Sequence, residues 1–332
     1  MKHMFVGIRD IINAKGRFGL IATVVGLITL LIVMLTGLTA GLGKQNTSAL
    51  EALSPQSVFF SDMSDPSFST SRIEQADAET TPGIPLGATQ TLLERADGSQ
   101  ESVGVLGLPK GTVLPDGTTL HDDAVASSSL GLAVGEDVTV GPATIAVGEN
   151  TEDLYYSHSL VLWVPTDTWQ ATAHTDAVGT VMISDQASDD ALTLKESFNA
   201  LPAYSSEQGS LQMMQGFLYV ISALVTVAFL TVWTIQRTRD LSILKAIGAP
   251  TRYLLKDALG QAAVILAAGV IVGTLLAVGF GALASGVVPF SLTLATTLVP
   301  ALGIWVLGMI GAAFATRSIS KIDPHYALGG VA

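Results

Sequence analysis

The fold is decided by one charged stretch, Arg237-Thr238-Arg239-Asp240-Leu241-Ser242-Ile243-Leu244-Lys245-Ala246-Ile247-Gly248-Ala249. The residues from Phe217 to Ile235 on one side, and from Ala258 to Val299 on the other, carry no charge. A polar connector between two apolar segments of membrane-spanning length lies at a membrane surface. Its Arg and Lys residues place it on the cytoplasmic side, because cytoplasmic loops are enriched in positive charge.

The same rule, applied to the whole chain, predicts an α-helical integral membrane protein with four transmembrane helices and cytoplasmic termini. An α+β extracytoplasmic domain is inserted between helices 1 and 2. In chain order we predict a cytoplasmic amphipathic helix at 1–17, TM1 at 18–42, the extracytoplasmic domain at 43–211, TM2 at 212–236, a cytoplasmic coupling helix at 237–257, TM3 at 258–285, a short external link at 286–291, TM4 at 292–316 and a cytoplasmic C-terminus at 317–332. The alternative for the N-terminus is a signal peptide, but the uncharged run after Arg17 exceeds the roughly 7–15 residues of a secretory core.

Charge is distributed unevenly along the chain. Residues 43–212 hold 24 of the 28 acidic residues and five of the 16 bases, a net charge of −19, whereas the rest of the chain is positive. The chain has no cysteine, so the inserted domain folds without disulfides and thiolate chemistry is excluded. Alternating apolar residues predict a β-meander from Leu130 to Gly148, buried strands at 159–164 and 178–183, and a helix from Ser188 to Leu201. The sequence Gly37-Leu38-Thr39-Ala40-Gly41 is a small-xxx-small step that allows close helix contact.

Several kinds of chemistry are missing from the sequence. It contains no GxxxxGK[ST] phosphate loop, no HExxH and no GxSxG, so we expect neither nucleotide hydrolysis nor these hydrolase activities, and no intrinsic cofactor or metal. The external histidines, His121, His158 and His174, are not at metal-ligand spacing, and we expect them to be surface or loop residues. The apolar segments hold no central charge, which argues against an ion or proton relay.

The charged stretch at 237–249 has features that a positively charged membrane anchor does not require. Basic residues surround the apolar Leu241, Ile243, Leu244 and Ile247, which predicts an amphipathic helix that ends at Gly248, before Pro250. An apolar stripe bordered by charge is suited to docking a protein partner. A plain membrane anchor would also account for the charges, but not for the apolar stripe.

This stretch resembles the FtsX/MacB-type permeases of ABC transporters. Supporting segments are Ile319-Ser320-Lys321-Ile322-Asp323-Pro324, Arg9-Asp10 before Gly16-Arg17, and Leu132 to Val140. The resemblance implies a homodimer that is not itself an enzyme, with two copies of a separate ATPase that binds ATP. The residues it assigns to ATPase coupling are Arg237, Arg239, Asp240, Leu241, Leu244, Lys245 and Gly248. The sequence departs from the family at Ala249-Pro250, which leaves the end of the coupling helix open.

Within this family the short external domain is most similar to the HrtB-type haem-efflux permeases, which implies haem as a transported substrate. Thioether and phenolate groups are known axial ligands of haem iron, and Phe217 would stack on the macrocycle. The candidate substrate residues are Met34, Met213, Met214, Phe217, Tyr219, Glu51 and Glu207. The competing interpretation is that these Met and aromatic residues only pack or anchor a helix end.

The sequence is compatible with three functions. The first is export of a membrane-soluble amphiphile, most plausibly haem, with a peptide or another hydrophobic toxic compound as alternative cargo. The second is an FtsX-like transmitter that activates an extracellular hydrolase or sensor without transporting anything. The third, an external enzyme using His121, His158 or His174, lacks any nucleophile–base pattern. All three place the chain in the plasma membrane among lipids, and none involves nucleic acid.

Overall fold

The computed structural model describes residues 15–236, 242–245 and 247–316. Most of the predicted N-terminal helix at 1–17 lies outside the described residues. So do Arg237, Arg239, Asp240 and Leu241 of the coupling stretch, and the segment 317–332. The chain forms two compact units, one of Met1–Gly41 with Ser210–Ala332 and one of Leu42–Gly209.

Long helices open and close the described chain, and strands fill its middle. The elements are α1 (Lys15–Leu53), β1 (Ser57–Phe59), α2 (Gln75–Thr80), β2 (Ile84–Glu94), β3 (Gln100–Leu108), β4 (Ala124–Ser127), β5 (Asp137–Val140), β6 (Ala143–Thr151), β7 (Tyr155–Tyr156), β8 (Ser159–Pro165), α3 (Thr166–Ala173), β9 (Val181–Ser184), α4 (Leu194–Ser197), α5 (Pro202–Gln236), α6 (Thr251–Ala284) and α7 (Leu294–Thr316). Short 3-10 helices lie at Ser128–Leu130 and Phe198–Ala200.

Among the residues that the structure describes, four helices are long and apolar enough to cross a membrane: Phe18–Leu53, Pro202–Gln236, Thr251–Ala284 and Leu294–Thr316. Helix α1 has 39 residues, about 58 Å at 1.5 Å per residue, whereas a bilayer core is about 30 Å thick. Its last turns belong to the second unit, where Ala49 and Leu50 are buried in the core. Helix α5 likewise begins at Pro202, ten residues before the predicted start of TM2 at 212.

Helices α1 and α6 pack backbone against backbone in the first unit. A Cβ atom built on Gly273 would lie 2.2 Å from the carbonyl oxygen of Gly26, and one on Gly269 would lie 2.6 Å from that of Ala22. These glycines belong to a buried stripe of small residues at four-residue spacing on α6, namely Gly269, Gly273, Ala277 and Gly281. Without a hydrophobic driving force between helices in lipid, such close approach is a main source of helix association.

The second unit, Leu42–Gly209, is described in full and contains a nine-stranded sheet. Eight strands follow the order β1-β9-β2-β3-β8-β4-β6-β5, and β7 pairs with β8 off this path. The last strand, β5, also pairs with β2 at Leu93 and Glu94, which closes β2, β3, β8, β4, β6 and β5 into a ring. Side chains alternate between two cores, as the two-residue period of a strand requires. On β3, Val103 and Val105 enter the core inside the ring, whereas Leu106 and Leu108 face a second core that includes α1.

One sequence expectation is wrong in this unit. The predicted helix from Ser188 to Leu201 is reduced to α4 and a 3-10 turn, because Leu192 is held extended by two backbone hydrogen bonds with Val58. The helix starts only after that pairing, at Leu194, and its N-cap Thr193 forms a capping box with Glu196.

Trp169 on α3 occupies space that two glycines leave open. It is almost fully buried, and a Cβ atom on Gly87 or Gly107 would lie 2.2 or 2.4 Å from Trp169 atoms. Its Nε1 donates a hydrogen bond to Thr89 Oγ1 at 3.0 Å. The two glycine positions on adjacent strands therefore form a slot for the indole.

Trp169→Ala is expected to destabilise the second unit by about 3–5 kcal/mol, because a large buried side chain leaves a cavity between rigid strands. Thermal unfolding of the purified full chain should show the loss as a Tm lower by roughly 6–20 °C. Thr89→Val is the control, since it removes only the acceptor of the indole N–H and should cost about 1–3 kcal/mol. Equal losses in the two variants would contradict the packing explanation.

Candidate functional site

Two contacts set the relative register of α1 and α5 in the first unit. Gln215 Nε2 donates a hydrogen bond to Thr39 Oγ1 at 3.1 Å, and the rings of Phe18 and Trp233 meet edge to face with centroids 6.2 Å apart. Residue numbers rise along α1 as they fall along α5, so the two helices are antiparallel. Counted from the first contact, Met34 lies level with Tyr219 and Val220, while Met213 lies level with Gly41.

The candidate substrate residues of this unit therefore occupy two levels. At 1.5 Å per residue, Met34 and Met213 are about 10 Å apart along the helix axes, so the two thioethers do not meet at one point within a subunit. Tyr219 shares the level of Met34 but is half-buried and packs against α7, where its ring would lie 3.2 Å from a Cβ atom on Gly303.

Met213 and Phe217 begin an apolar stripe along the exposed side of α5. Met213 is 64% exposed and Phe217 61%, and both stand one helical turn apart on the same face. Val220, Ile221 and Leu224 continue the stripe, and Met214 lies beside it. This face of the subunit is apolar, and the described residues of the chain leave it uncovered.

The neighbouring end of α1 is occupied by the link between α6 and α7. Phe290 lies against Gly37, where a Cβ atom would come within 2.4 Å of its ring, and Pro289 lies against Gly41. Ser291 N donates a hydrogen bond to the carbonyl oxygen of Gly37 at 3.0 Å. The small-xxx-small step thus receives a loop rather than a helix, because the glycines leave room for an aromatic ring.

The two candidate carboxylates, Glu51 and Glu207, belong to the second unit and are both engaged. Glu51 is exposed and accepts a hydrogen bond from Thr47 Oγ1 at 2.7 Å. Glu207 pairs with His158, with 2.8 Å between Oε1 and the imidazole Nε2. His158 was expected to be a surface or loop residue, and it does lie in a turn, where its imidazole contacts Glu207.

One feature of the sequence could have singled out His158, namely its place in a two-residue turn between two strands. Ser157 and His158 form the two-residue connection between β7 and β8, and both have positive φ, at 48° and 65°. Two-residue turns with positive φ favour Asn and Gly, so a histidine is unusual at this position. Residues His121 and His174 are exposed, and among the described residues no group of three or more His, Cys, Asp and Glu side chains could hold a metal ion.

The connector between α5 and α6 is described from residue 242 onward, except at 246. Residues 242–245 are helical, and Gly248 ends the turn with φ of 101°. Gly248 N bonds to the carbonyl oxygen of Lys245 at 3.1 Å and Ala249 N to that of Leu244 at 3.0 Å, the pattern of a Schellman C-cap. Helix α6 then starts at Thr251 with Pro250 as its N-cap, so residues 251–257 belong to α6 rather than to the connector.

Apolar side chains of this connector divide between two environments. Leu244 packs with Leu254 and Ala258 of α6. Ile243 is 43% exposed and Ile247 79% exposed. The connector is thus fastened to α6 on one side and presents apolar surface on another.

The FtsX-like permease C-terminal family matches residues 213–324, from the first candidate methionine of α5 through α7 and beyond. The chain contains an FtsX-like permease domain. Over nearly its whole length it is also similar to complete relatives. It is 26% identical over 345 residues to a putative hemin transport system permease protein HrtB of Staphylococcus haemolyticus, covering 95% of this chain and 96% of the relative.

Two further relatives widen the comparison. A putative hemin transport system permease protein HrtB of Staphylococcus epidermidis is 24% identical over 342 residues, with 95% of this chain and 96% of the relative covered. An uncharacterized ABC transporter permease of Mycobacterium tuberculosis is 25% identical over 362 residues, with 98% and 99% covered. With the four apolar helices, these matches indicate a membrane protein with the function of an ABC transporter permease, and the family implies a partner ATPase.

Proposed function

We propose that the protein is the permease subunit of an ABC-type efflux transporter that exports a membrane-soluble amphiphile, most plausibly haem. Two copies would form a homodimer in the plasma membrane with cytoplasmic termini and the acidic domain outside. Two copies of a separate ATPase would hydrolyse ATP and drive the helices through the connector at 237–249. The single observation that carries this proposal is the FtsX-like permease domain at 213–324, within a chain of four candidate membrane spans.

The haem assignment rests on chemistry within α5, from Met213 onward. A flat apolar macrocycle suits the exposed stripe of Met213, Phe217 and Val220, and a thioether is a known ligand of haem iron. The staphylococcal relatives carry hemin transport in their names. Because the stripe faces outward from the subunit, the substrate would enter sideways from the lipid, between α1 and α5 of two protomers.

Removing the thioethers tests this assignment. In Met213→Leu/Met214→Leu the side-chain volume is nearly kept while both sulfur atoms are lost. The wild-type protein, purified in detergent and titrated with haemin, is expected to develop a Soret band. The double variant should bind haemin about tenfold more weakly, equivalent to about 1.4 kcal/mol, with a shifted band.

Met309→Leu is the matched control, because Met309 packs half-buried among the helices rather than on the α5 stripe. It should leave the haemin titration unchanged. A wild-type protein that stays colourless, or identical titrations for all three proteins, would contradict haem as the substrate while leaving the permease assignment standing.

The second candidate is a transmitter that moves an external partner without transporting anything. The observation in its favour is that α1 and α5 are continuous helices that both run into the second unit. A transmitter requires a stable external partner and an ATPase whose rate ignores haemin. Haemin-stimulated ATP hydrolysis in proteoliposomes containing the permease and its ATPase would instead support transport.

A further inference from the structure

We infer that His158, Asn46 and Glu207 form a polar clasp that fastens the β7–β8 hairpin to helices α1 and α5, so that the inserted domain follows movements of the two helices. The inference adds a named mechanical connection to the proposed function and rests on it only for the source of the movement. All three residues belong to the second unit, Leu42–Gly209.

The clasp joins three separate elements through short contacts. His158 Nε2 lies 2.8 Å from Glu207 Oε1 on α5 and 3.0 Å from Asn46 Nδ2 on α1. Asn46 Nδ2 also donates a hydrogen bond to Glu207 Oε2 at 3.2 Å. Asn46 is fully buried, whereas the side chains of His158 and Glu207 are 30% and 36% exposed. A contact between imidazole and carboxylate that is partly shielded from water, and whose carboxylate also accepts a hydrogen bond from a buried amide, holds its geometry better than an exposed contact.

Backbone hydrogen bonds seat the same turn on α1. His158 N donates to the carbonyl oxygen of Gln45 at 2.8 Å, and Ser157 N donates to that of Asn46 at 3.2 Å. Two residues before Ser157 on the hairpin, Tyr155 N donates to Ser48 Oγ at 2.8 Å. The hairpin is therefore attached to α1 along its edge, and the His158 side chain extends the attachment to α5.

The hairpin is also rigidly joined to the domain that it would move. Tyr156 is buried in the core that includes α1, and its ring meets that of Phe68 with centroids 6.2 Å apart. Burial raises the pKa of the Tyr156 hydroxyl above its usual range, so the group remains protonated in this core. A displacement imposed on the turn is thus passed to the core rather than absorbed locally.

The backbone at His158 indicates that the imidazole is there for a reason other than turn formation. A left-handed conformation is unfavourable for residues with a side chain, and glycine would relieve it. The structure keeps histidine at this strained position and uses its side chain to reach Glu207. Strain of this kind is maintained where the surrounding contacts determine the geometry.

The hydrogen-bond lengths make the clasp sensitive to small movements of the helices. A hydrogen bond of 2.8 Å is lost when its atoms separate beyond about 3.5 Å. A shift of α5 against α1 by one residue rise, about 1.5 Å, would therefore either break the clasp or carry the hairpin with it. Because backbone hydrogen bonds hold the turn to α1, the hairpin follows α1, and the His158 side chain is the contact through which α5 acts on the hairpin.

His174 provides a matched control for the experiment. It ends α3 with φ of 53°, close to that of His158, but its side chain is exposed and makes no hydrogen bond or ion pair with any residue that the structure describes. His174→Gly is expected to raise Tm by about 1–4 °C, because only strain is removed. His158→Gly removes similar strain together with the clasp, so Tm should stay level or fall.

The functional readout is the ATPase rate of the permease and its ATPase in nanodiscs, with and without haemin. His158→Gly should keep the basal rate and lose at least half of the haemin stimulation, whereas His174→Gly should behave as wild type. The chain has no cysteine, so a short cleavable thiol linker between His158→Cys and Glu207→Cys is specific. The linker should restore stimulation, and cleaving it with a reductant should abolish stimulation again.

Two outcomes would overturn the clasp. One is an equal rise of Tm in His158→Gly and His174→Gly, with stimulation unchanged in both. The other is a linked double-cysteine protein that is no more responsive than its reduced form. If the wild-type complex shows no haemin stimulation, the proposed function fails, and a double-mutant cycle of Tm for His158→Ala and Glu207→Ala still decides whether the clasp exists: non-additive losses support it and additive losses refute it.

Discussion

Gly273→Leu is expected to prevent the four-helix unit from assembling. A Cβ atom at this position would lie 2.2 Å from the Gly26 carbonyl oxygen and 2.9 Å from the Cβ atom of Thr29. The nearest atom belongs to the backbone of another helix, so no side-chain rotation relieves the clash. Overpacking in a core typically costs about 1–3 kcal/mol, and forcing two helix backbones apart belongs at or above the upper end of that range.

The measurement is the yield of monodisperse protein after extraction, followed by its Tm. The control is Gly279→Leu, on the same helix, where an added Cβ atom meets nothing within 4 Å and the residue is exposed. We expect the control to be produced like wild type and Gly273→Leu to be lost or strongly destabilised. Comparable yields and Tm values for the two variants would show that α1 and α6 do not pack through these glycines.

The existence of the four apolar helices was predictable from the sequence, because composition alone makes them suited to a membrane. Their lengths were not. The end of TM1 was predicted at 42, where the apolar run ends, yet α1 continues to Leu53. Beyond 42 the helix is stabilised by burying Ala49 and Leu50 against strands that follow later in the chain, which no local pattern reports. The stripe of Gly269, Gly273, Ala277 and Gly281, by contrast, is visible in the sequence as small residues at four-residue spacing, so this packing face was predictable.

The inserted domain also combines features that local sequence predicts with features that depend on distant residues. Single strands such as β8 follow from alternation and β-branched residues, and the structure confirms the buried strand predicted at 159–164. Closure of the ring depends on β5 reaching β2 across more than 40 residues of sequence, so it could not be predicted from neighbouring residues. The failed helix from Ser188 is of this kind too, since pairing of Leu192 with Val58 overrides local helix propensity.

At the candidate site the residue types were predictable and their grouping was not. Seven candidates were selected by chemistry, but the register set by Thr39 and Gln215 separates Met34 from Met213, and Tyr219 faces α7. His158 and Glu207 are 49 residues apart and meet only because the hairpin turn lies beside α5. Contacts between residues so far apart in sequence form only in the folded chain, so local sequence patterns do not predict them.

Reversing two charges of the connector, Arg239→Glu with Lys245→Glu, is expected to detach the ATPase. The connector ends in a Schellman cap at Gly248 and exposes Ile243 and Ile247, which suits a short helix that docks into a partner. At a protein interface, placing like charges against each other costs several kcal/mol. Together the two reversals should weaken association by about 4 kcal/mol, or roughly 1,000-fold in Kd.

Co-purification of the ATPase with tagged permease, and haemin-stimulated ATP hydrolysis in proteoliposomes, measure this effect. Lys44→Glu with Lys195→Glu changes the net charge by the same amount on two exposed residues of the second unit, and it should leave both readouts at the wild-type level. A general effect of charge on expression or solubility would affect both double variants alike. If the connector variant still retained its ATPase and its haemin response, residues 237–249 would be no more than a positively charged membrane anchor, and the movement of the helices would have to enter the permease elsewhere.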